Sequence, residues 1–345
     1  MRAVRIHGHG GVENLRYEEA PEPKLMAPTD AIVKLKAAAL NRCDIAIRSG
    51  QNSTEVSLPH ILGADGAGIV VETGEQVKSL TKGEAVCLYP AYGCGRCEFC
   101  LSDRELLCVQ LRVLGEHEHG TYAQYVRVPA RNCFPIPAGL SFDEAAAFPL
   151  VYCAAWRMLI TNAELKPGEQ VLILGIGGGV ATAALQVAAQ LGTHIIVASS
   201  HDEKLAAAKA LGAHNGIPYR NTDFAVEVRR LTAKRGVDVV VNCVGGESWA
   251  RSLAALAKGG RLVSCGAIAG AAPLTDIRRI FWNHLKVFGS TLGTRKEFKQ
   301  LLNFMERSQI KPIIDRVLPL EQAATAHQRL EAGKQFGKIV LSMEP

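Results

Sequence analysis

Residues 171–198 read VLILGIGGGVATAALQVAAQLGTHIIVA, in which an apolar run leads through a glycine-rich turn into an alanine-rich run and a second apolar run. The apolar runs are typical of buried parallel strands, and the alanine-rich run is typical of a helix between them. Glycines let the backbone approach a pyrophosphate closely, and a helix N-terminus supplies free N–H groups. The order of elements therefore predicts a dinucleotide site, whereas the glycines alone would also be compatible with a simple tight turn.

The alternation of β-like and helix-like runs continues on the C-terminal side. Expected helices cover 203–211 and 248–256, and expected strands cover 237–242 and 261–265. Each connection is long enough for a crossover between parallel strands, which predicts a doubly wound α/β sheet.

The first 140 residues have a different texture. Short β-like runs at 31–35, 67–72 and 85–88 are separated by Gly, Pro and Asp. This spacing is typical of a compact, barrel-like β unit. The stretch from Arg295 onward is expected to add two helices around a turn at Pro312 and a final strand-like run.

The end of the second strand in the opening segment bears on the type of nucleotide. Ser199 stands where a site for NAD usually has an acidic residue that binds the ribose 2′-hydroxyl. Without that acid a 2′-phosphate is not repelled, and Ser199, Ser200 and Lys204 offer it partners. The sequence therefore favours NADP(H). Ser200 has an alternative role, because Ser200 and Glu203 have the spacing of a helix-capping box.

Four of the ten cysteines form a compact pattern, C-x2-C-x2-C-x7-C, at Cys94, Cys97, Cys100 and Cys108. Four thiolates this close can surround one tetrahedral Zn²⁺, and a site with four protein ligands is closed and structural. One structural zinc per chain is therefore expected. Free thiols or two disulfides are the alternatives. The remaining cysteines are scattered and are expected to be small core residues.

Composition excludes several classes of protein. The 345 residues suffice for about two domains, and 48% hydrophobic against 21% charged residues excludes a disordered chain. The net charge of +6 is too small for a nucleic-acid footprint. The start, Met1–Gly10, lacks the apolar region of a signal peptide, and the apolar run 145–156 is short enough to be a core helix. A cytoplasmic protein with reduced thiols and no membrane partner is expected.

Several motifs together resemble the medium-chain dehydrogenase/reductase superfamily over essentially the whole chain. They are Gly63-Ala64-Asp65-Gly66-Ala67-Gly68, the Cys94–Cys108 lobe, Gly178-Gly179-Val180 and Cys243-Val244-Gly245-Gly246. The resemblance implies a GroES-like β-barrel catalytic domain over residues 1–150 and 291–345, with a zinc lobe at 93–108. It implies a Rossmann domain over residues 151–290 and a substrate cleft between the domains. It also implies a homodimer or homotetramer paired through residues 260–292.

The resemblance extends the nucleotide site beyond the glycine turn. The expected cofactor-binding residues are Gly177, Gly178, Gly179, Val180, Ser199, Ser200, Lys204, Tyr219, Cys243, Val244, Gly245, Gly266, Ala267 and Ile268.

The chain departs from the zinc alcohol dehydrogenase branch of this superfamily at its metal ligands. The resemblance places Asn41, Ala64 and Leu150 at the three ligand positions, and Cys43 at the position of the proton-relay hydroxyl. Catalytic zinc needs three protein ligands and one open position, which Asn, Ala and Leu do not supply. The chain is therefore expected to lack catalytic zinc. The alternative is a shifted site built from Cys43, Asp65 and Cys153, or from His60.

These departures resemble the zinc-free quinone oxidoreductase and enoyl reductase branches. They favour an enzyme that uses NADPH to reduce an activated C=C bond or a quinone, with a small carbonyl-type substrate. Asn41, Cys43 and Asp44 are the catalytic candidates, and Asn41 is expected to donate a hydrogen bond to the developing enolate charge. A zinc-dependent alcohol dehydrogenase or aldehyde reductase with substituted ligands is one alternative. A non-catalytic, NADPH-binding structural or regulatory protein is another.

Overall fold

The computed structural model describes residues 1–51 and 55–344, which fall into two compact units. The first unit comprises Met1–Leu150 and Thr294–Pro345, and the second comprises Val151–Gly293. The return to the first unit comes at Thr294, slightly later than the expected residue 291. The reason is that Thr294 caps a helix whose Phe298 ring packs on Phe148 of the first unit.

The strands in chain order are β1 (Arg2–Ile6), β2 (Leu15–Glu19), β3 (Asp30–Ala39), β4 (His60–Ile61), β5 (Asp65–Thr73), β6 (Ala85–Leu88), β7 (Ala91–Tyr92), β8 (Arg112–Val113), β9 (Tyr125–Pro129), β10 (Cys133–Pro135), β11 (Gln170–Leu174), β12 (His194–Ser199), β13 (Asn215–Pro218), β14 (Val237–Val241), β15 (Leu256–Ser264), β16 (Lys286–Gly289), β17 (Ile314–Pro319) and β18 (Lys338–Ser342). The helices are α1 (Arg42–Ser49), α2 (Glu98–Leu101), α3 (Phe142–Ala147), α4 (Pro149–Trp156), α5 (Gly179–Gln190), α6 (Asp202–Ala210), α7 (Phe224–Leu231), α8 (Ser248–Ala255), α9 (Ile277–Trp282), α10 (Arg295–Ser308) and α11 (Ala323–Glu331). A π-helical turn, Arg157–Asn162, follows α4.

A seven-stranded sheet forms the centre of the first unit, in the order β10-β6-β5-β3-β18-β17 with β9 also paired to β3. Alternate residues of β3 face the core, where Val33 and Leu35 join a buried apolar cluster with Val70 of β5. The last strand, β18, pairs antiparallel with β3, so that Val340 lies opposite Ala39. The two segments of the first unit, 1–150 and 294–345, therefore share one sheet.

The second unit contains a six-stranded parallel sheet in the order β13-β12-β11-β14-β15-β16. This is the 3-2-1-4-5-6 order of dinucleotide-binding sheets, and it confirms the expected doubly wound α/β fold. β13 and α7 were not predicted from the sequence. The reason for β13 is physical, because Ile217 is its one fully buried residue and leaves almost no apolar pattern.

The apolar run 145–156 forms two short helices rather than the single helix expected. α3 ends at Ala147 and α4 begins at Pro149, with Phe148 between them. Proline lacks a backbone N–H and fits the first position of a helix, so it ends one helix and starts the next. Among the described residues, the structure contains no helix with the length and apolar character needed to cross a membrane.

Candidate active site and zinc lobe

The glycine turn joins β11 to α5 at the carboxyl edge of the parallel sheet. Gly177 has a backbone φ of +103°, in the left-handed region that favours glycine. A Cβ atom at Gly177 would lie 2.6 Å from Cδ of Lys204, so a side chain here would collide with the lysine stem. The Lys204 ammonium therefore lies at the turn, 3.1 Å from the position of a Cβ atom at Gly177. The first N–H groups of α5, which begins two residues later, have no partner within the helix.

The end of β12 has the uncharged character predicted from the sequence, but one local detail differs. His201, not Ser200, precedes the first residue of α6, and no side chain caps the helix. The capping-box interpretation of Ser200 is therefore wrong, because its Oγ pairs with His201 Nδ1 at 2.9 Å instead. Ser199 is buried, and its Oγ accepts the N–H of His201 at 3.1 Å. The Tyr219 N–H donates to Ser199 O at 3.1 Å, which brings the predicted Tyr219 to the same edge.

The remaining predicted nucleotide residues lie on two loops at the same edge of the sheet. Cys243, Val244 and Gly245 follow β14, and Gly266, Ala267 and Ile268 follow β15. The loops are joined by backbone hydrogen bonds, including Ala269 N to Val244 O at 2.7 Å. Together with the glycine turn, they place the predicted nucleotide set on one edge of the second unit.

Asn242 shapes the first of these loops and was not predicted from the sequence. Its Oδ1 accepts the N–H groups of Val244 at 2.8 Å and Gly245 at 3.0 Å, and its Nδ2 donates to Ser252 Oγ at 2.9 Å. An Asn at a strand end, followed three residues later by glycines, is a local signal for such a turn. Asn242 therefore positions the loop that carries Cys243.

The four lobe cysteines converge, and their Sγ atoms all lie within 4.8 Å of one another. Backbone N–H groups of Cys94 and Gln110 point to Cys108 Sγ, each at 3.4 Å. Hydrogen bonds from backbone N–H groups lower the pKa of the Cys94 thiol to about 6, which favours the thiolate that zinc requires. A Cβ atom at Gly93 would lie 2.5 Å from Cys100 Sγ, so glycine leaves the space that the cluster needs. These residues fit one tetrahedral zinc ion, which would hold the lobe together.

Asn41, Asp65 and Lys338 form a buried hydrogen-bonded cluster in the first unit. Lys338 Nζ donates to Asp65 Oδ2 at 2.9 Å and to Asn41 Oδ1 at 2.6 Å. Asn41 Nδ2 also donates to Asp65 Oδ2, at 2.8 Å. The Lys338 and Asp65 side chains are 3% and 0% exposed. An ion pair this deeply buried needs such additional hydrogen bonds to offset the loss of water.

No local sequence pattern marks Lys338 as a site residue. It is the first residue of a strand whose next three residues are apolar, and it lies far along the chain from Asn41 and Asp65. The antiparallel register of β18 on β3, with Val340 opposite Ala39, continues to Lys338 opposite Asn41. The register of β5 on β3 places Asp65 opposite Ala39. Only the sheet topology therefore brings the three side chains together.

The predicted catalytic residues Asn41, Cys43 and Asp44 lie at the start of α1. The Asp44 Oδ2 atom accepts the Asn41 N–H and the Tyr122 hydroxyl, both at 2.8 Å. Burial raises the pKa of Asp44 to about 6, although both hydrogen bonds act in the opposite direction. Burial, with the nearby carboxyl groups of Asp44 and Asp65, raises the pKa of the Cys43 thiol well above its ordinary value. Cys43 therefore keeps its proton at neutral pH.

Comparison with known proteins agrees with this geometry. The family profile described as "Alcohol dehydrogenase GroES-like domain" matches residues 27–138, and that described as "Zinc-binding dehydrogenase" matches residues 179–307. A zinc-type alcohol dehydrogenase-like protein of Schizosaccharomyces pombe is 34% identical, over 97% of this chain and 96% of its own length. The chain belongs to the medium-chain dehydrogenase/reductase superfamily.

Other similar members of the superfamily include enzymes of two kinds. A quinone oxidoreductase of Homo sapiens is 27% identical over 99% of this chain and 97% of its own length. The crystal structure of an NAD-dependent alcohol dehydrogenase has a TM-score of 0.95 and 41% identity, covering 99% of this chain and 100% of the other. The chain is an oxidoreductase of this superfamily.

The positions that bind catalytic zinc in the alcohol dehydrogenase branch of the superfamily do not suit a metal here. The side chains of Asn41 and Ala64 have no ionisable group that could bind zinc. Leu150 has only its backbone N–H at this place, and it donates to Asp65 Oδ1 at 2.8 Å. The Lys338 ammonium lies against Asp65 Oδ2 and Asn41 Oδ1. Within residues 1–51 and 55–344, the lobe cysteines are the one group of three or more His, Cys, Asp or Glu side chains close enough to share an ion. The shifted site finds no support, and His60 Nε2 instead pairs with Gly115 O at 3.0 Å.

Proposed function

We propose that this member of the superfamily uses NADPH to reduce an activated C=C bond or a quinone, without catalytic zinc. The observation that carries the proposal is the cluster of Asn41, Asp65 and Lys338, which puts an ammonium group among the residues that would otherwise surround a metal. An alcohol loses its proton readily when a Lewis acid binds its oxygen. A conjugated carbonyl compound or quinone accepts a hydride without that assistance.

The three catalytic candidates differ in how far their polar groups are already engaged. Asn41 Nδ2 donates to Asp65 and to Ala39 O at 3.5 Å, so both of its N–H groups have acceptors within the first unit. Cys43, rather than the expected Asn41, is therefore the hydrogen-bond donor to the developing enolate charge. Cys43 is half-buried rather than buried, and its raised pKa keeps the S–H available. Asn41 and Asp44 hold the first turn of α1, which positions Cys43.

The nucleotide is held, in this proposal, by the carboxyl edge of the second unit's sheet. When bound, NADPH supplies the hydride that adds to the substrate. The N–H groups at the start of α5 would bind its pyrophosphate, and Ser200 with the Lys204 ammonium would bind the 2′-phosphate. The loop from Cys243 to Gly245 and the loop from Gly266 to Ile268 would border its nicotinamide end.

Purified protein is expected to contain about one zinc ion per chain and to oxidise NADPH in the presence of quinones, enones or enoyl thioesters. Metal analysis gives the zinc content, and absorbance of NADPH gives turnover. Two zinc ions per chain, with turnover of simple aldehydes and none of the conjugated substrates, would support the alcohol dehydrogenase alternative instead. Nucleotide binding without turnover of any substrate would support a non-catalytic role.

Replacing Ser199 with aspartate is expected to weaken NADPH binding by roughly 10- to 100-fold. The reason is that the new carboxylate would repel the 2′-phosphate and disturb its hydrogen bonds. Binding of NADH is expected to stay the same or to tighten, because the carboxylate meets the ribose hydroxyls. Calorimetric titration of both nucleotides measures this, with Ser199→Ala as the matched control for loss of the hydroxyl. Equal affinity of the unaltered protein for NADH and NADPH would contradict the assignment of NADP(H).

We also propose that a second copy of the chain covers the apolar face around β16. β16 is the edge strand of the six-stranded sheet, and Val287 on it is exposed together with Phe281 and Trp282 of α9. Exposed edge strands readily pair with another copy. Val287→Lys is expected to convert a homodimer to single chains in light scattering after size exclusion. The exposed Val226→Lys on α7 is the matched control. A monomeric unaltered protein would contradict this proposal.

A further inference from the structure

Cys243 and Cys265 lie side by side at the carboxyl ends of β14 and β15. In the parallel register of these strands Val241 lies opposite Val263, and the same offset brings Cys243 opposite Cys265. Their Sγ atoms are 3.3 Å apart, and both residues are half-buried. Neighbouring strands are about 4.8 Å apart, within the Cα separation of about 4.4–6.8 Å that a disulfide needs.

The pKa values of the two thiols also shift in opposite directions. The hydrogen bond between the two sulfurs lowers the pKa of the Cys243 thiol below its ordinary value, which makes Cys265 the donor when Cys243 is the thiolate. The same hydrogen bond, with burial, raises the pKa of Cys265 well above its ordinary value. A thiolate beside a protonated thiol is the arrangement of an attacking cysteine with its resolving cysteine.

We infer that Cys243 and Cys265 form a redox-active dithiol site, which a hydroperoxide oxidises to a disulfide that weakens nucleotide binding at the adjacent turn. The effect on the nucleotide rests on the proposed function, whereas the oxidation of the pair does not. With hydrogen peroxide, the Cys243 thiolate attacks one oxygen, an S–O bond forms, the O–O bond breaks, and the leaving oxygen takes a proton to become water. Cys265 Sγ then attacks the sulfenic sulfur, an S–S bond forms, the S–O bond breaks, and the hydroxyl leaves with the thiol proton as water. Two thiols and one peroxide thus become one disulfide and two waters.

The loops that carry the two cysteines are closely packed, so formation of the disulfide is expected to move them. A disulfide shortens the S–S distance to about 2.05 Å. A Cβ atom at Gly245 would lie 2.6 Å from Gly270 O, so the loops already touch there. Val244, next to Cys243, lies 3.2 Å from the position of a Cβ atom at Gly175 in the glycine turn. Movement of the Cys243 loop therefore reaches the turn that holds the phosphates.

To test this, full-length, zinc-loaded protein is treated with equimolar hydrogen peroxide. The remaining thiols are then blocked, and the chain is digested with trypsin. The expected result is a disulfide-linked pair of peptides, residues 236–251 and 262–278, that separates again with dithiothreitol. NADPH affinity, measured by fluorescence titration on the same samples, is expected to fall roughly tenfold or more on oxidation and to recover on reduction. The control Cys133→Ala is expected to behave like the unaltered protein, whereas Cys265→Ser is expected to form no link and to show no change in affinity with peroxide.

Absence of the linked peptides in the unaltered protein overturns the dithiol site. A link that forms while the affinity for NADPH stays constant overturns its coupling to the nucleotide. Failure of the reduced protein to bind NADPH counts against the proposed function, and the linked peptides still decide whether the redox pair exists.

Discussion

Lys338→Met is expected to lower the free energy of unfolding by about 3–5 kcal/mol, because removal of one partner leaves a buried charge without compensation. Asp65 would keep hydrogen bonds from Asn41 and from the Leu150 N–H, but it would lose the ammonium group at 2.9 Å. The measurement is the urea dependence of unfolding, followed by circular dichroism. Lys334→Met, at an exposed lysine near the same strand, is the matched control and is expected to change stability little.

A second variant separates the ion pair from simple packing. Lys338→Met combined with Asp65→Asn removes both charges, and it keeps an oxygen that can accept the Leu150 N–H. The double variant is expected to recover a large part of the lost stability, since replacement of a whole buried pair is far less harmful than removal of one member. If Lys338→Met unfolded at the same urea concentration as Lys334→Met, the cluster would not have the role assigned to it.

Cys100→Ser is expected to reduce the zinc content from about one ion per chain to near none and to unfold the lobe. The lobe has only short elements of its own, with α2 spanning Glu98–Leu101, and its exposed residues supply little apolar burial without the metal. Arg96 and Arg104 lie within the lobe and offer trypsin two cleavage sites. Limited digestion is therefore expected to cut the variant rapidly at these two arginines.

Cys133→Ala is the matched control, because Cys133 is a buried cysteine of β10 outside the lobe. It is expected to retain zinc and to resist digestion at Arg96 and Arg104. Dialysis of the unaltered protein against a chelator is expected to reproduce the digestion pattern of Cys100→Ser. Full zinc content in Cys100→Ser would show that the four cysteines are not the binding site.

The strands and helices in which apolar residues recur with a clear periodicity could be predicted from the sequence. β11, α5 and β12 follow the opening segment closely, and the carboxyl edge of their sheet carries the predicted nucleotide residues. The lobe cysteines also come together as predicted, because their ligand spacing is a local property of the chain. In each case the information lies within a few tens of neighbouring residues.

The rest of the candidate site depends on contacts between distant parts of the chain. Lys338 reaches Asn41 only through the pairing of the last strand with β3. Cys243 and Cys265 meet only through the register of β14 and β15, and neither lies in a local motif that indicates a pair. The start of α6 at Asp202 depends on the side-chain pairing of Ser200 with His201, which outweighs the capping pattern.

The shared carboxylate of Asp65 has a consequence for the evolution and redesign of this chain. Because Asp65 accepts hydrogen bonds from Asn41, from Lys338 and from the backbone at Leu150, a substitution that introduces a metal ligand at Asn41 disturbs the whole cluster. Asn41→Cys alone would remove the amide oxygen that Lys338 contacts and would leave the ammonium beside the new thiol. Under the proposed zinc-free function, installing a metal ligand at Asn41 would therefore require simultaneous changes at Asp65 and Lys338 to avoid a less stable intermediate.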